Sequence, residues 1–155
     1  MELHEFISRD RILTFDEENA DKAHVLKSIY DHCASLSDLH NHQPDVWETL
    51  IQREKSMSTG IGLGIAIPHC STEYVDEVTG VLALLKHGID FDAIDDIPVQ
   101  IIVLLLLPKN KFEKHIKTLA SVAKLFNNEA IRKQIIEAAD GEEIFEIIQA
   151  ATAHD

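Results

Sequence analysis

His69 is the residue of this sequence best placed for nucleophilic chemistry. It follows three closely spaced glycines, a short apolar stretch and Pro68. Because proline fixes its own φ and has no backbone N–H, this pattern predicts a strand whose ladder stops at Pro68, with His69 just outside it. A neutral imidazole can attack with one nitrogen while a hydrogen bond to the other fixes the tautomer, which suits a carrier of phosphoryl groups.

The loop before this strand contains Ser58, Thr59 and Gly60. Glycine permits backbone conformations closed to other residues, and successive exposed N–H groups can form a concavity for an anion. The three residues are therefore candidate hydrogen-bond donors to a phosphate, although residues that only form a turn have the same composition. Arg53, near the end of the preceding helical pattern, could clamp phosphate oxygens or simply lie favourably at a helix C-terminus.

His115 is the second candidate, and it borders the apolar stripe of a predicted helix that follows Pro108. If this helix begins close to the strand end, its ring could contact a phosphoryl group or orient His69. A histidine beside an apolar stripe is also typical of a side chain that packs on the core and turns its polar edge to water. The pattern alone leaves both interpretations open.

Three segments resemble a known family, in the family's order. The stretch from Arg53 to Cys70 reads R-E-K-S-M-S-T-G-I-G-L-G-I-A-I-P-H-C and is similar to the signature of the type-2 (fructose, mannitol and nitrogen) IIA domains of the bacterial phosphoenolpyruvate-dependent phosphotransferase system (PTS). The other segments are Phe91-Asp92-Ala93-Ile94-Asp95 with Pro98-Val99, and His115-Ile116-x-x-Leu119-Ala120. Together they cover nearly the whole chain.

The resemblance implies a role for each candidate. His69 would be phosphorylated, on Nε2, and His115 would donate a hydrogen bond to a phosphoryl oxygen. Arg53 would support the site and Ser58, Thr59 and Gly60 would bind phosphate. No cofactor is implied.

The resemblance also implies a phosphotransferase component that accepts a phosphoryl group from the carrier HPr or from its nitrogen-branch counterpart. The segment from Phe91 to Asp95 and the helix around Val122-Ala123-Lys124 look closest to the nitrogen-regulatory type, in which phosphorylation changes the binding of a regulated protein. The alternative is a sugar-transport IIA component that passes the group to a cysteine of a IIB domain. One departure is Leu63, where many members have asparagine, so this side chain lacks the polar group that an asparagine would offer to phosphate or to a partner.

The charge of the chain limits its partners. With 14 basic and 27 acidic side chains the formal charge is −13, which argues against nucleic acid and anionic membrane surfaces because both would repel the protein. A basic protein partner is favoured instead. Two cysteines, Cys33 and Cys70, are too few for a disulfide framework. We therefore expect a soluble cytoplasmic protein, and neither the N-terminus nor the longest apolar run, Ile101 to Leu107, has the features of an exported or membrane-spanning segment.

Two further clusters have weaker signals. His32, Cys33, His40 and His42 fit no common zinc spacing, so we expect no metal site. Four acidic residues follow the apolar run Val78–Leu85; they are Asp90, Asp92, Asp95 and Asp96. They resemble paired catalytic carboxylates, but they are typical of a solvated turn that Phe91 attaches to the core.

The apolar periodicity predicts helices and strands in turn. A capping-box pattern at Thr14–Glu17 predicts a first helix from about Asp16 to Ala34, and Pro44 begins a second that ends near Lys55. Further helices follow Pro108, Asn128 and Gly141. Near-continuous apolar runs predict strands covered on both faces, at Ile65–Ile67, Val78–Leu85 and Val99–Leu107, with weaker candidates near Ile12–Phe15 and Tyr74–Val75.

These elements predict one α/β domain over residues 1–155, with a mixed sheet flanked by helices on both faces. The resemblance to type-2 IIA domains puts the number of strands at about five.

Overall fold

A mixed β-sheet of six strands separates two helical layers in the computed structural model, which describes residues 3–152 except the side chains of residues 112 and 152. The strands are β1 Ile12–Phe15, β2 Gly60–Gly62, β3 Ile65–Ala66, β4 His69–Thr72, β5 Thr79–Ile89 and β6 Val99–Pro108. Their order is β1, β5, β6, β3, β2, and β4 also pairs with β6.

The α-helices of the described residues divide between the two faces of this sheet. They are α1 Leu3–Phe6, α2 Lys22–Ser35, α3 Gln43–Ser56, α4 Phe112–Phe126, α5 Glu129–Ile136 and α6 Gly141–Thr152. Helices α2 and α3 share a core with one face, and α1, α4, α5 and α6 share a core with the other. Along β6, Val103 and Leu105 enter one core while Ile102 and Leu104 enter the other, which confirms the prediction of strands covered on both faces.

Strands β3 and β4 are two parts of one interrupted strand. Ile65 pairs with Ile101 and His69 pairs with Leu105, so both parts keep the same register on β6. Counted together they give the predicted five strand positions. The prediction that the ladder stops at Pro68 was wrong, because only the proline N–H is missing: the Pro68 carbonyl still accepts a 2.9 Å hydrogen bond from the amide of Leu105, and pairing resumes.

Two other local predictions were wrong. The first long helix begins at Lys22 rather than near Asp16, because the Thr14 and Phe15 of the supposed capping box pair with β5 in β1. Asp21 is the N-cap, and its side chain accepts from the amide of His24.

The weak strand candidate at Tyr74–Val75 is a turn. The Tyr74 ring stacks on His42, with 3.7 Å between ring centroids. By contrast, α3 contains Pro44 in its first turn and the Asn128 side chain caps α5, both as predicted.

Among the helices of residues 3–152, none combines the length and the apolar character needed to cross a bilayer.

Candidate functional site

His69 begins β4 and is partly buried. Its Nδ1 lies 2.7 Å from the carbonyl oxygen of Ile67. Because a carbonyl oxygen only accepts hydrogen bonds, Nδ1 must carry the proton, and the lone pair of the neutral ring is then on Nε2. Cys70 packs into the core under α2 and α3, so strand alternation places the imidazole on the opposite face, under α4.

The surroundings of His69 favour its neutral form. Burial lowers the pKa of the imidazole below its usual 6.5, while the hydrogen bond to Ile67 opposes this shift. The charge of Arg53 lowers the pKa further and that of Glu54 raises it. A nucleophilic ring therefore persists to more acidic pH than in an exposed histidine.

We expect the ring of His69 to titrate below pH 6.5 in an NMR titration of its ring carbons. The unfolded chain then binds this proton more tightly than the folded one. The contribution of His69 to stability is therefore complete above the unfolded value and is lost as the pH falls through the folded pKa. Arg53→Met should move the midpoint upwards, because it removes a nearby positive charge. A midpoint at or above 6.5 in the wild type would contradict this account.

His115 lies in the second turn of α4 and is 5% exposed. Its Nε2 donates to the carbonyl oxygen of Pro108. Its Nδ1 lies 3.5 Å from the hydroxyl oxygen of Ser71, which is two residues beyond His69 and on the same face of β4. The helix thus begins near the strand end, and its histidine reaches the strand that carries His69. The donation of a hydrogen bond by His115 to a phosphoryl oxygen stays a prediction.

Arg53 lies in the last turn of α3, and both interpretations of it find support. Its Nη1 donates a 2.8 Å hydrogen bond to the carbonyl oxygen of Met57, which closes the C-terminal end of the helix. Its charge also acts on the imidazole of His69. A direct contact with phosphate stays a prediction.

The hydrogen-bond donors of the predicted phosphate loop already have partners in the protein. The Ser58 hydroxyl donates to the carbonyl oxygen of Phe91 and accepts from the amide of Gly60. The amide and the hydroxyl of Thr59 both donate to the carboxylate of Glu54, the hydroxyl at 2.7 Å. Phosphate binding by this loop stays a prediction, and it would require these donors to exchange partners.

Glu54 is a buried carboxylate that the sequence analysis missed. It is 5% exposed, and besides the two donors of Thr59 it faces the Lys22 ammonium group at 3.2 Å. Lys22 also donates to the carbonyl oxygen of Phe91. The pair of Glu54 and Lys22 therefore connects α2 and α3 to the loop before β2 and to the acidic loop that contains Phe91. A spacing of four residues from the buried Val46 and Leu50 was a signal that Glu54 faces inwards.

Leu63 lies in the turn between β2 and β3 with a φ of +60°. Its amide donates a 2.9 Å hydrogen bond to the carboxylate of Asp95, and its side chain is 52% exposed. A left-handed conformation is easier for asparagine than for leucine, which costs about 1 to 2 kcal/mol there. The departure from asparagine thus replaces a residue suited to this turn with an exposed apolar side chain under strain.

The residues of the two weaker clusters have structural partners. The His32 ring bonds to the carbonyl oxygen of Asp10, and His40 pairs with Asp38. Within residues 3–152, no group of three or more His, Cys, Asp or Glu side chains is arranged to hold a metal ion. In the acidic loop, Phe91 is 1% exposed and attaches the loop to the core, as expected.

Comparison with known proteins agrees with this fold and site. Residues 5–151 match the family described as "Phosphoenolpyruvate-dependent sugar phosphotransferase system, EIIA 2". The chain belongs to this family, which confirms the resemblance; members are components of a phosphotransferase system.

Relatives of both functional types are similar to the chain. A nitrogen regulatory protein of Bradyrhizobium diazoefficiens is 30% identical over 148 residues, which cover 96% of this chain and 95% of that protein. A fructose-specific EIIA component of the PTS from Haloferax volcanii is 27% identical and covers 88% of each chain. The crystal structure of the nitrogen regulatory protein IIA-Ntr from Neisseria meningitidis superposes with a TM-score of 0.84 and 32% identity, over 94% of this chain and 98% of that one.

Proposed function

We propose that the protein is a histidine phosphocarrier in which Nε2 of His69 accepts a phosphoryl group from HPr or from its nitrogen-branch counterpart. Residues 1–155 act as one domain in this proposal. The observation that carries it is the hydrogen bond from Nδ1 of His69 to the carbonyl oxygen of Ile67. This bond leaves the lone pair on Nε2 of a neutral, partly exposed ring available to attack phosphorus. The family supports the reaction class.

The transfer needs no proton to leave the ring beforehand. The Nε2 lone pair forms the new bond to phosphorus, the bond from phosphorus to the nitrogen of the donor histidine breaks, and that nitrogen recovers its electron pair. The His69 ring gains positive charge during attack, and the Ile67 carbonyl, which accepts from Nδ1, stabilises it. Charge on the phosphoryl oxygens is met by His115 and Arg53 in this proposal.

The phosphorylated protein acts as a regulatory signal in this proposal. Its similarity over almost the whole chain to nitrogen regulatory proteins supports this reading. Phosphorylation adds nearly two negative charges beside His69, which alters the proteins that this surface can bind. The alternative is a sugar-transport component that passes the group to a cysteine of a IIB domain, and the fructose-specific relative favours it.

Intact mass after incubation with phosphoenolpyruvate, enzyme I and either carrier tests the proposal. We expect one acid-labile phosphate on the wild type and none on His69→Gln. His24→Gln, which changes an exposed histidine of α2, should be labelled like the wild type. Labelling of His69→Gln, or a folded wild type that takes up no phosphate from either carrier, would refute it.

The acceptor distinguishes the regulatory role from the alternative. The phosphorylated protein is incubated with a purified fructose-type IIB domain, and the phosphate on both chains is measured. Retention on His69 supports the regulatory role. Rapid transfer to the IIB cysteine supports sugar transport.

A further inference from the structure

A series of hydrogen bonds connects the buried carboxylate of Glu54 to the ring of His69. The amide and the hydroxyl of Thr59 donate to Glu54, the hydroxyl at 2.7 Å. The carbonyl oxygen of Thr59 then accepts a 3.1 Å hydrogen bond from the amide of Ile67. The carbonyl oxygen of Ile67 in turn accepts from Nδ1 of His69 at 2.7 Å. The contact that sets the tautomer of His69 is therefore linked, through Thr59 and Ile67, to a carboxylate on α3.

The carboxylate is held in place at its own end of this series. The Glu54 side chain is 4% exposed, and its Oε1 lies 3.2 Å from the ammonium group of Lys22. Lys22 also donates a 3.0 Å hydrogen bond to the carbonyl oxygen of Phe91 and lies 4.2 Å from the centroid of the Phe91 ring. Hydrogen bonds to an ionised acceptor are roughly twice as strong as neutral ones. Glu54 therefore offers Thr59 a strong and fixed acceptor.

The backbone at Ile67 and Pro68 is held from both sides. On one side the Ile67 amide donates to Thr59, and on the other the Pro68 carbonyl oxygen accepts a 2.9 Å hydrogen bond from the amide of Leu105 on β6. Pro68 fixes its own φ between these two contacts. Together they fix the direction of the Ile67 carbonyl, which is the acceptor for Nδ1 of His69. Loss of the Thr59 contact would leave this carbonyl held only from the β6 side.

The charge of Glu54 acts on the same ring. Burial has the largest effect on the pKa of His69 and lowers it; the charge of Arg53 lowers it too, whereas that of Glu54 raises it. The ring gains positive charge in a similar way when Nε2 binds phosphorus and Nδ1 keeps its proton. A buried negative charge therefore stabilises both the protonated ring and the ring during attack.

We propose that Glu54 is a positioning residue for phosphoryl transfer. Through Thr59 it holds the Ile67 carbonyl where that group accepts from Nδ1, and this keeps the reactive lone pair of His69 on Nε2. The proposal deepens the proposed function and rests on it, because it names the group that prepares His69 for attack. It also gives Thr59 a role other than that of a phosphate donor, since the amide and the hydroxyl of Thr59 serve the carboxylate.

The tautomer of His69 in the unphosphorylated protein is the first test. NMR correlation of the ring nitrogens with the ring protons should place the proton on Nδ1 in the wild type. Glu54→Gln keeps the size of the side chain but has one acceptor oxygen and no charge, so it cannot serve Thr59 and Lys22 together. We expect a mixture of the two tautomers and a lower titration midpoint for His69. Glu48→Gln changes an exposed glutamate of the same helix and should match the wild type.

Phosphoramidate, a small phosphoryl donor for histidine, tests whether this positioning matters for the reaction. It needs no docking of a protein partner, so its rate of labelling reports on His69 itself. Labelling of Glu54→Gln should be about tenfold slower than that of the wild type, because a small misplacement of a reacting group is enough for such a loss. Glu48→Gln should be labelled at the wild-type rate. Unfolding curves confirm that each variant is folded under the conditions of the measurement.

Two substitutions of Thr59 separate an action through Glu54 from direct phosphate binding. Thr59→Val removes the hydroxyl donor to Glu54, and Thr59→Ser keeps it. We expect Thr59→Val to mix the tautomers of His69 before any phosphate is added, and Thr59→Ser to retain the wild-type tautomer. If Thr59→Val slows labelling but leaves the tautomer unchanged, Thr59 acts on the phosphate directly and the positioning proposal is wrong.

The remaining outcomes distinguish this proposal from the proposed function. A merely structural role of Glu54 would lower the denaturant midpoint of Glu54→Gln and leave the tautomer, the titration and the labelling rate of His69 unchanged. A changed tautomer with an unchanged rate would mean that the position of the proton does not matter for attack. Either result overturns the positioning proposal and leaves the proposed function standing. If neither phosphoramidate nor a carrier labels His69 in a folded wild type, both are overturned.

Discussion

Glu54→Ala should destabilise the protein by about 1 to 3 kcal/mol, the cost of leaving the buried donors of Thr59 without their acceptor. The carboxylate accepts from the amide and the hydroxyl of Thr59 and pairs with Lys22, whose side chain is 21% exposed. Alanine fills none of these roles. The loss falls on the connection that holds the loop before β2, so the position of His69 should loosen together with the fold.

Denaturant unfolding of Glu54→Ala and of a matched control measures this cost. Glu48→Ala changes a glutamate on the same helix whose side chain is exposed and contacts only Gln52 among the hydrogen bonds of the described residues. Its free energy of unfolding should stay within about 0.5 kcal/mol of the wild type. A Glu54→Ala protein as stable as this control would show that the buried pair contributes nothing net.

A double-mutant cycle isolates the ion pair from the remaining contacts. Lys22→Met and Glu54→Leu together should cost less than the sum of their separate effects, by about 0.5 to 3 kcal/mol, because each single change leaves a charge without its partner. The hydrogen bond to Phe91 is lost only with Lys22 and those from Thr59 only with Glu54, so both losses cancel in the cycle. Additive effects would mean that the carboxylate acts through Thr59 alone.

The apolar runs and the Gly-rich motif carried most of the fold prediction. Strands β5 and β6 were predictable because continuous apolar runs suit a strand buried on both faces. The weak strand candidate at Ile12–Phe15 is confirmed as β1, but the start of α2 was misjudged, since a Thr-x-x-Glu pattern describes only local contacts. The pairing of Thr14 with Leu84 joins residues far apart in the chain, and it outweighs the local preference for a helix cap.

The candidate site likewise divides into residues that a motif identifies and residues whose role depends on contacts between distant parts of the chain. His69 and His115 were predictable from motifs, and the structure brings both to the same face. Glu54 and Ser71 were missed because their roles come from contacts across the chain rather than from a motif. The position of Leu63 was noted, but its meaning depends on a positive φ that no composition reveals.

His115→Ala should slow phosphoryl transfer through His69 by about 100-fold while leaving His69 able to accept a phosphoryl group. Removal of one preorganised donor to a developing oxyanion costs about that much. In the unphosphorylated protein Nε2 of His115 donates to Pro108, so Nδ1 faces the Ser71 hydroxyl as an acceptor. To donate to a phosphoryl oxygen, a ring nitrogen of His115 must leave its present partner, Pro108 or Ser71.

Rapid-quench transfer from the phosphorylated carrier measures the rate, and phosphoramidate labelling checks that His69 remains reactive. Ser71→Ala is the matched control on the strand: it removes a long, 3.5 Å hydrogen bond to His115 and should slow transfer less than tenfold. Unfolding curves identify any loss of stability, because His115 is buried and its substitution leaves the Pro108 carbonyl without this donor.

The two histidines can be assigned separate roles by comparing the extent of labelling with its rate. If His115→Ala is still labelled by both donors, but more slowly than the wild type with each, His69 is the sole acceptor and His115 stabilises the transferring group. If a folded His115→Ala protein takes up no phosphate from any donor, His115 is needed for attack itself, and this division of labour is wrong. The direct contact of His115 with strand β4 makes the first outcome the expected one.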